Sequence, residues 1–150
     1  MNLSKNCKFH NMILLSTAGT SDEEGLQVLD MQGYEGVCFV GIMAAVTAGG
    51  ELQLYASYSD STSTTDMVDD TGTSVGSTAA TDTTDYTDKL LVCDIYKPLK
   101  RYVSCHLDKG TQNSETRVIA IQYGNHLGPV AQSTEQYGVL EANVFVSPTT

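Results

Sequence analysis

Apolar and polar residues alternate with a period of two along most of this chain, and no long stretch carries a period of 3.6, so strands rather than helices are expected. Phe9 to Leu15 sets Phe9, Asn11, Ile13 and Leu15 on one face and His10, Met12 and Leu14 on the other. A turn-like tract rich in Ser, Thr, Gly and acids runs from Ser16 to Gly25. A short strand, Gly25 to Met31, follows and is closed by Gln32-Gly33. Gly36 to Val46 is apolar on both faces, which predicts a central or interface strand. Gly49-Gly50 then reads as a hairpin turn into Glu51 to Ser59. There Leu52, Leu54, Ala56 and Tyr58 share one face, and Glu51, Gln53, Tyr55 and Ser57 the other.

From Ser57 to Asp88 the chain changes character to Ser, Thr and Asp with scattered Gly and Ala. These side chains compete locally for backbone hydrogen bonds and disfavour a helix. A long exposed excursion is expected, with one short strand around Thr73 to Ser77. The second half alternates more cleanly. Lys89 to Lys97 sets Leu91, Cys93 and Ile95 against Leu90, Val92 and Tyr96, and Arg101 to Asp108 points Val103, Cys105 and Leu107 inward. Pro98-Leu99-Lys100 fits a hairpin loop between them, a register that sets Cys93 opposite Cys105 with Cβ atoms roughly 5 Å apart. Asp108-Lys109-Gly110 reads as a turn, Glu115 to Gly124 as a strand, and Val139 to Val146 as the closing strand.

The pattern predicts one all-β domain over residues 1–150, an antiparallel β-sandwich or jelly-roll-like barrel. Residues 1–8 form an N-terminal arm and residues 57–88 an acidic Ser/Thr-rich loop. Any helix is confined to Pro129 to Tyr137.

Eighteen acidic residues against eight basic give a net charge of −10, which disfavours binding to a nucleic-acid backbone or to an anionic membrane surface. The charge is unevenly placed: between Lys8 and Lys89 there are thirteen carboxylates and no Lys or Arg, before Lys89, Lys97, Lys100 and Arg101 cluster. That cluster is either an ordinary solvated surface or a dock for an acidic partner. The run Met12-Ile13-Leu14-Leu15 is too short for a signal peptide, and Val37 to Ala48 is too short to span a bilayer. The protein is expected to be made in the cytoplasm and not exported.

Candidate chemistry is sparse. Cys7, Cys38, Cys93 and Cys105 contain no C-x-x-C pair and no two His stand at ligand spacing, so no metal site and no cofactor is expected. In a reducing cytoplasm Cys93 and Cys105 stay free thiols. Ser104, His106 and Asp108 lie along one strand face and read as solvent-side polar residues, because triad members converge from different elements. The carboxylates Asp60, Asp66, Asp69, Asp70, Asp82, Asp85 and Asp88 lack the D-x-D-x-D-G spacing of a calcium loop. His10 and His126 have no partner in sequence. No catalytic residues are assigned, and an enzyme is not expected.

Lys89-Leu-Leu-Val-Cys-Asp-Ile-Tyr-Lys-Pro-Leu-Lys-Arg-Tyr-Val103 resembles a K-x-L-V-x-D-V-Y-[KR]-P-x-K-R-Y-V signature. That signature recurs in small proteins encoded beside the major capsid gene of tailed bacteriophages. Further similar segments are Leu3 to Asn6, Ala18 to Ser21, Gly33 to Val37, Asp108 to Thr111, Tyr123-Gly124 with Pro129-Val130, and Val144 to Pro148; the acidic tract is the most divergent part. The resemblance implies a virion structural protein, a head decoration or cement protein on the outer surface of the capsid. Its partners would be the major capsid protein and itself, as a homotrimer in the first instance and a homodimer in the second. A head-tail connector or tail-tube component is the alternative. Eight tyrosines suit interfaces. Tyr96, Lys97, Lys100, Arg101 and Tyr102 are the expected contact residues, at one hairpin end. The acidic tract would either point outward as a charged coat or pack against basic capsid loops.

Overall fold

The period-two segments form two antiparallel sheets that close on each other face to face. The computed structural model describes residues 2–16, 19–44, 51–77, 87–111 and 116–143. One helical turn, α1 (Leu3–Asn6), precedes β1 (Lys8–Ser16), β2 (Glu23–Glu24), β3 (Leu29–Asp30), β4 (Gly36–Met43) and β5 (Glu51–Ser59). After a 3-10 turn at Thr64–Asp66 come β6 (Val68–Ser77), β7 (Leu90–Tyr96), β8 (Tyr102–Thr111) and β9 (Thr116–Tyr123). One sheet has the order β1-β9-β4-β7; the other has the order β2-β8-β5-β6, with β3 also paired to β8. Of the two forms expected, this is the sandwich.

Alternation places the core where the sequence pattern puts it. Leu91, Cys93 and Ile95 of β7 are buried while Leu90, Val92 and Tyr96 are exposed, and Val103, Cys105 and Leu107 of β8 point inward. Leu52, Leu54, Ala56 and Tyr58 of β5 join them, facing Val37 and Phe39 of β4 and Val118 and Ala120 of β9 in one cluster. β4 is a central strand, paired on both edges, as its two apolar faces predict. β1 departs from simple alternation. His10 and Met12 turn inward, but the register slips between Asn11 and Ile13 so that Ile13 is buried too and Leu14 is exposed. A β-bulge with one extra residue switches the face.

Several connections differ from those the sequence predicts. β7 pairs with β4 and β8 with β5, so Lys97 to Arg101 is a crossover between sheets and not a hairpin. Cys93 therefore stands beside Phe39 and Cys105 beside Ala56, and all four cysteines are free thiols. β4 and β5 likewise lie in different sheets, which excludes a hairpin between them; Gly49-Gly50 itself lies outside the described residues. Asp108-Lys109-Gly110 makes no turn but continues β8. Lys109 is buried at 1% exposure, with its ammonium 2.8 Å from Ser16 Oγ and 3.2 Å from Glu23 Oε1, so it ties β1 and β2 to β8.

The acidic stretch 57–88 is not one loop. Ten of its residues form β6, an edge strand on β5, longer than the Thr73 to Ser77 segment expected. Of Gly25 to Met31 only Leu29–Asp30, β3, is strand; it docks on β8, as does β2, which precedes the stretch. Pro129 to Tyr137 holds no helix, and Val139 to Asn143 is not strand; Val144 to Val146 lies outside the described residues. The segment instead runs along the outer edge of β1. Val130 N–H donates to Lys5 O at 2.8 Å, Asn11 N–H to Tyr137 O at 2.9 Å, and the Gln132 amide to Ser4 O at 2.9 Å and Cys7 O at 2.6 Å.

A buried polar chain joins β1 and β9 of one sheet to β3 of the other. The Gln122 amide donates to Asp30 O at 2.8 Å, which leaves its carbonyl oxygen to accept from His10 Nε2 at 2.8 Å. Burial holds the His10 pKa below the ordinary imidazole value, against the opposing bond to Gln122. The unfolded chain takes up this proton near pH 6.5 and the folded chain only at lower pH. Stability is therefore complete above that value and lost as pH falls through the window toward the lowered folded pKa. We expect the denaturant midpoint to fall between about pH 7.5 and about pH 5, and His10→Gln to remove much of that fall. At Gly36 an added Cβ would lie 2.3 Å from the Tyr123 ring and 2.8 Å from Ile95 O. Gly36→Ala is expected to lower stability by about 1–3 kcal/mol in the same denaturation experiment.

Candidate binding surface

The crossover from β7 to β8 turns sharply because Lys97 adopts a positive φ of 54°. Its N–H donates to Glu35 O at 2.8 Å, and Met31 N–H to Arg101 O at 2.8 Å, so both ends of the crossover are pinned to the loop between β3 and β4. Gly33, at φ 88°, reverses that loop beneath the Leu127 side chain. His126 N–H donates to Gly33 O at 3.1 Å and Glu35 N–H to Tyr123 O at 3.0 Å, joining the segment after β9. Three separate stretches of the resemblance, Gly33 to Val37, Lys97 to Arg101 and Tyr123-Gly124, thus meet at one end of the sandwich.

Between them lies an open groove of about 590 Å³ lined by Met31, Tyr34, Pro98 and Leu99 together with Lys97, Lys100, Arg101, Glu35 and His126. Leu99 and Leu127 stand out at 81% and 80% exposure. The basic groups are matched internally. Arg101 grips the Asp30 carboxylate with two bonds of 2.9 and 2.7 Å, and Lys100 Nζ lies 2.6 Å from Asp60 Oδ2. His126 Nε2 sits 3.3 Å from Glu35, and Lys97 lies over the Tyr96 ring, 5.2 Å from its centroid. Lys97, Lys100 and Arg101 share the groove. Tyr96 and Tyr102 belong to opposite sheets, Tyr96 on the outer face of β7 and Tyr102 beside Ser59 and Asp30. Asp30, Asp60 and Tyr34 are the contributors that sequence reasoning did not reach. Only the crossing of the sheets brings them to this end, although Gly33-Tyr34-Glu35 already stood among the resembling segments.

The polar face of β8 is covered rather than solvated. Ser104 is 3% exposed and its hydroxyl donates to Gln27 O at 3.1 Å, not to His106. The His106 ring stacks on Tyr55 with centroids 4.8 Å apart and lies 3.4 Å from Asp69 and 3.8 Å from Asp22. Burial, then Asp69, Asp108 and Asp22, pushes the Tyr55 hydroxyl up to about 12. The segment from Glu24 to Gln27, the Thr64 to Met67 turn and the Asp69 side chain of β6 crowd onto this face, which the alternation of β8 alone assigned to solvent. The cavity beside His106 is about 50 Å³, room for water and not for a substrate. Among the described residues no three His, Cys, Asp or Glu side chains are grouped to hold a metal ion.

No protein-family model matches this sequence, and no curated protein matches it.

The Arg101 guanidinium, by its hydrogen bonds, holds the Asp30 carboxyl below the usual carboxylate range, outweighing the opposing effect of burial. A depressed carboxylate pKa contributes to stability above its unfolded value and is lost as pH falls through the folded value. We expect carbon-detected NMR titration to place Asp30 below other exposed aspartates, and Arg101→Gln to return it to the ordinary range.

Proposed function

We propose that this protein is a structural component of a tailed-bacteriophage virion, bound on the outer surface of the capsid, where it holds neighbouring major capsid subunits together. Resemblance along Lys89 to Val103 supports the reading, and one structural observation carries it: the outer face of the β1-β9-β4-β7 sheet is largely apolar, half-buried toward β1 and exposed toward β7. Across that face run Phe9, Ile121, Cys38 and Asp94, then Asn11, Ile119, Val40 and Val92, then Arg117, Ile42 and Leu90. Leu90, Val92 and Ile42 are 58%, 50% and 43% exposed, in a continuous patch of the kind that marks an interaction surface.

A cement protein works by area and not by a reactive pocket, since it must resist separation of the subunits it spans. Four strands about 4.8 Å apart and about seven residues long present roughly 450 Å² in projection. A stable interface takes about 800 Å² from each partner. The sheet face therefore supplies about half a standard contact, and the groove end with Leu99, Leu127 and Lys97 is the natural second contact. Engaging both surfaces at once requires neighbours on two sides. That geometry suits a closed homo-oligomer seated between capsid subunits, a trimer at a three-fold position first and a dimer at a two-fold second.

Quantitative mass spectrometry of purified particles tests the assignment, with copies normalised to the major capsid protein. Parity with the capsid subunit, or a simple fraction of it, is expected, together with lower heat resistance of heads that lack the protein. One ring's worth of copies would make it a connector, and absence from the particle would overturn the structural role.

A further inference from the structure

We propose that the free edge of β7 is a docking strand for an extended segment of another protein, one that alternates basic and apolar residues and adds to the sheet through main-chain hydrogen bonds. This deepens the virion reading by naming the chemistry that the partner must offer.

Two backbone bonds set the phase of the edge. Lys97 N–H donates to Glu35 O at 2.8 Å, and Met43 N–H to Lys89 O at 3.2 Å. In an antiparallel ladder the bonded residues alternate, so Leu91, Cys93 and Ile95 also turn their main-chain groups toward β4. The N–H and C=O groups of Leu90, Val92, Asp94 and Tyr96 then point the other way, off the sheet. Among the described residues no strand and no side chain pairs with them. Their side chains are the exposed ones of the strand.

The other edge of the same sheet is treated differently, since Val130 to Tyr137 covers β1. Edge strands that must stay unpaired are usually short, bulged, interrupted by proline or heavily charged. β7 has seven residues in unbroken register with β4, contains no proline, and carries one charged side chain, Asp94. Main-chain groups in regular array supply affinity for an added strand, and alternate side chains supply specificity.

Charge selects the occupant. Asp94 is exposed on β7, where its carboxylate accepts from the Tyr123 hydroxyl at 2.7 Å, and the neighbouring edge strand β6 carries Asp70, with Cys93 Sγ of β7 3.3 Å from Thr73 O of β6. Lys89 and Lys97 bracket the strand at its ends. A second copy brings the same carboxylates: pairing Val92 with Val92 sets Tyr96 against Asp88 and places no cation opposite Asp94. In that register each copy adds Asp88 and Asp94 to the same short ladder, so like charge at this edge opposes self-pairing there. A Lys- or Arg-bearing segment neutralises Asp94, while its apolar positions lie beside Leu90 and Val92.

Hydrogen exchange on the purified protein tests this, with a short capped peptide of alternating Lys and Val as the probe and its Glu and Val counterpart as control. The Lys peptide is expected to slow exchange of the Leu90, Val92, Asp94 and Tyr96 amides about tenfold or more, and the Glu peptide to leave them unchanged. Val92→Pro removes an outward N–H while sparing the ladder to β4, so it should keep its melting temperature and lose the protection. Should that variant not fold, Asp94→Lys serves instead, with the preference expected to pass to the Glu peptide. Unprotected edge amides with the Lys peptide, or equal binding by Val92→Pro, overturn the proposal. Dimerisation in sedimentation that Val92→Pro abolishes would do the same, by giving the edge to a second copy. None of these readouts depends on whether the protein is found in virions, so the two readings fail separately.

Discussion

Phe39 and Cys93 stand side by side in one sheet and Ala56 and Cys105 side by side in the other, all at 2% exposure or less. A strand with a period of two has one apolar face to hide, and here the two sheets cover each other's inner faces in one core. The thiols act as small apolar groups in this contact; burial pushes Cys93 up to about 11 and raises Cys105 further. The same demand explains why Lys97 to Arg101 crosses between sheets. β7 and β8 are the cleanest alternating strands in the chain, and each serves as a wall for the core that the other helps to close.

A sandwich leaves edges that a closed barrel would not. One is covered by the segment after β9, bound to the backbone of β1 and α1. Among the described residues no strand pairs with the outer edge of β7, which lies beside a largely apolar face, and these two features suit long, shallow contacts. The polar residues that meet around His106 link the β2 loop and Asp69 of β6 to β8, and the cavity they leave, about 50 Å³, has room for no more than water.

Charge organises the same end of the molecule. Lys100 and Arg101 each take a carboxylate of their own chain, Asp60 and Asp30. Exposed ion pairs of this kind add little stability, but two of them fix the shape of the crossover that rims the groove. Lys109 does the equivalent work inside, where an ammonium can be buried because Ser16 and Glu23 receive it. With Lys100, Arg101 and Lys109 paired to carboxylates of their own chain, the net charge of −10 rests on the remaining acidic side chains.

The sequence alone determined the class of fold, the strands with clear alternation and their inward faces, because a period of two is a local property that any packing must respect. Leu91, Cys93 and Ile95 or Val103, Cys105 and Leu107 needed no other information. Which strands became neighbours was decided only in three dimensions. Pro98-Leu99-Lys100 is compatible with a hairpin and with a crossover, and the choice rests on which sheet buries more of each strand's face. The same holds for the bulge at Met12, for Lys109 inside β8, and for β6 in a stretch that reads as loop: each is stabilised by partners far away in sequence. Tyr96, Lys97, Lys100 and Arg101 could be named as a surface from their own stretch of chain. That Asp30 and Asp60 occupy two of those cations, and that no described strand pairs with the outer edge of β7, follows from tertiary contacts that no local pattern encodes.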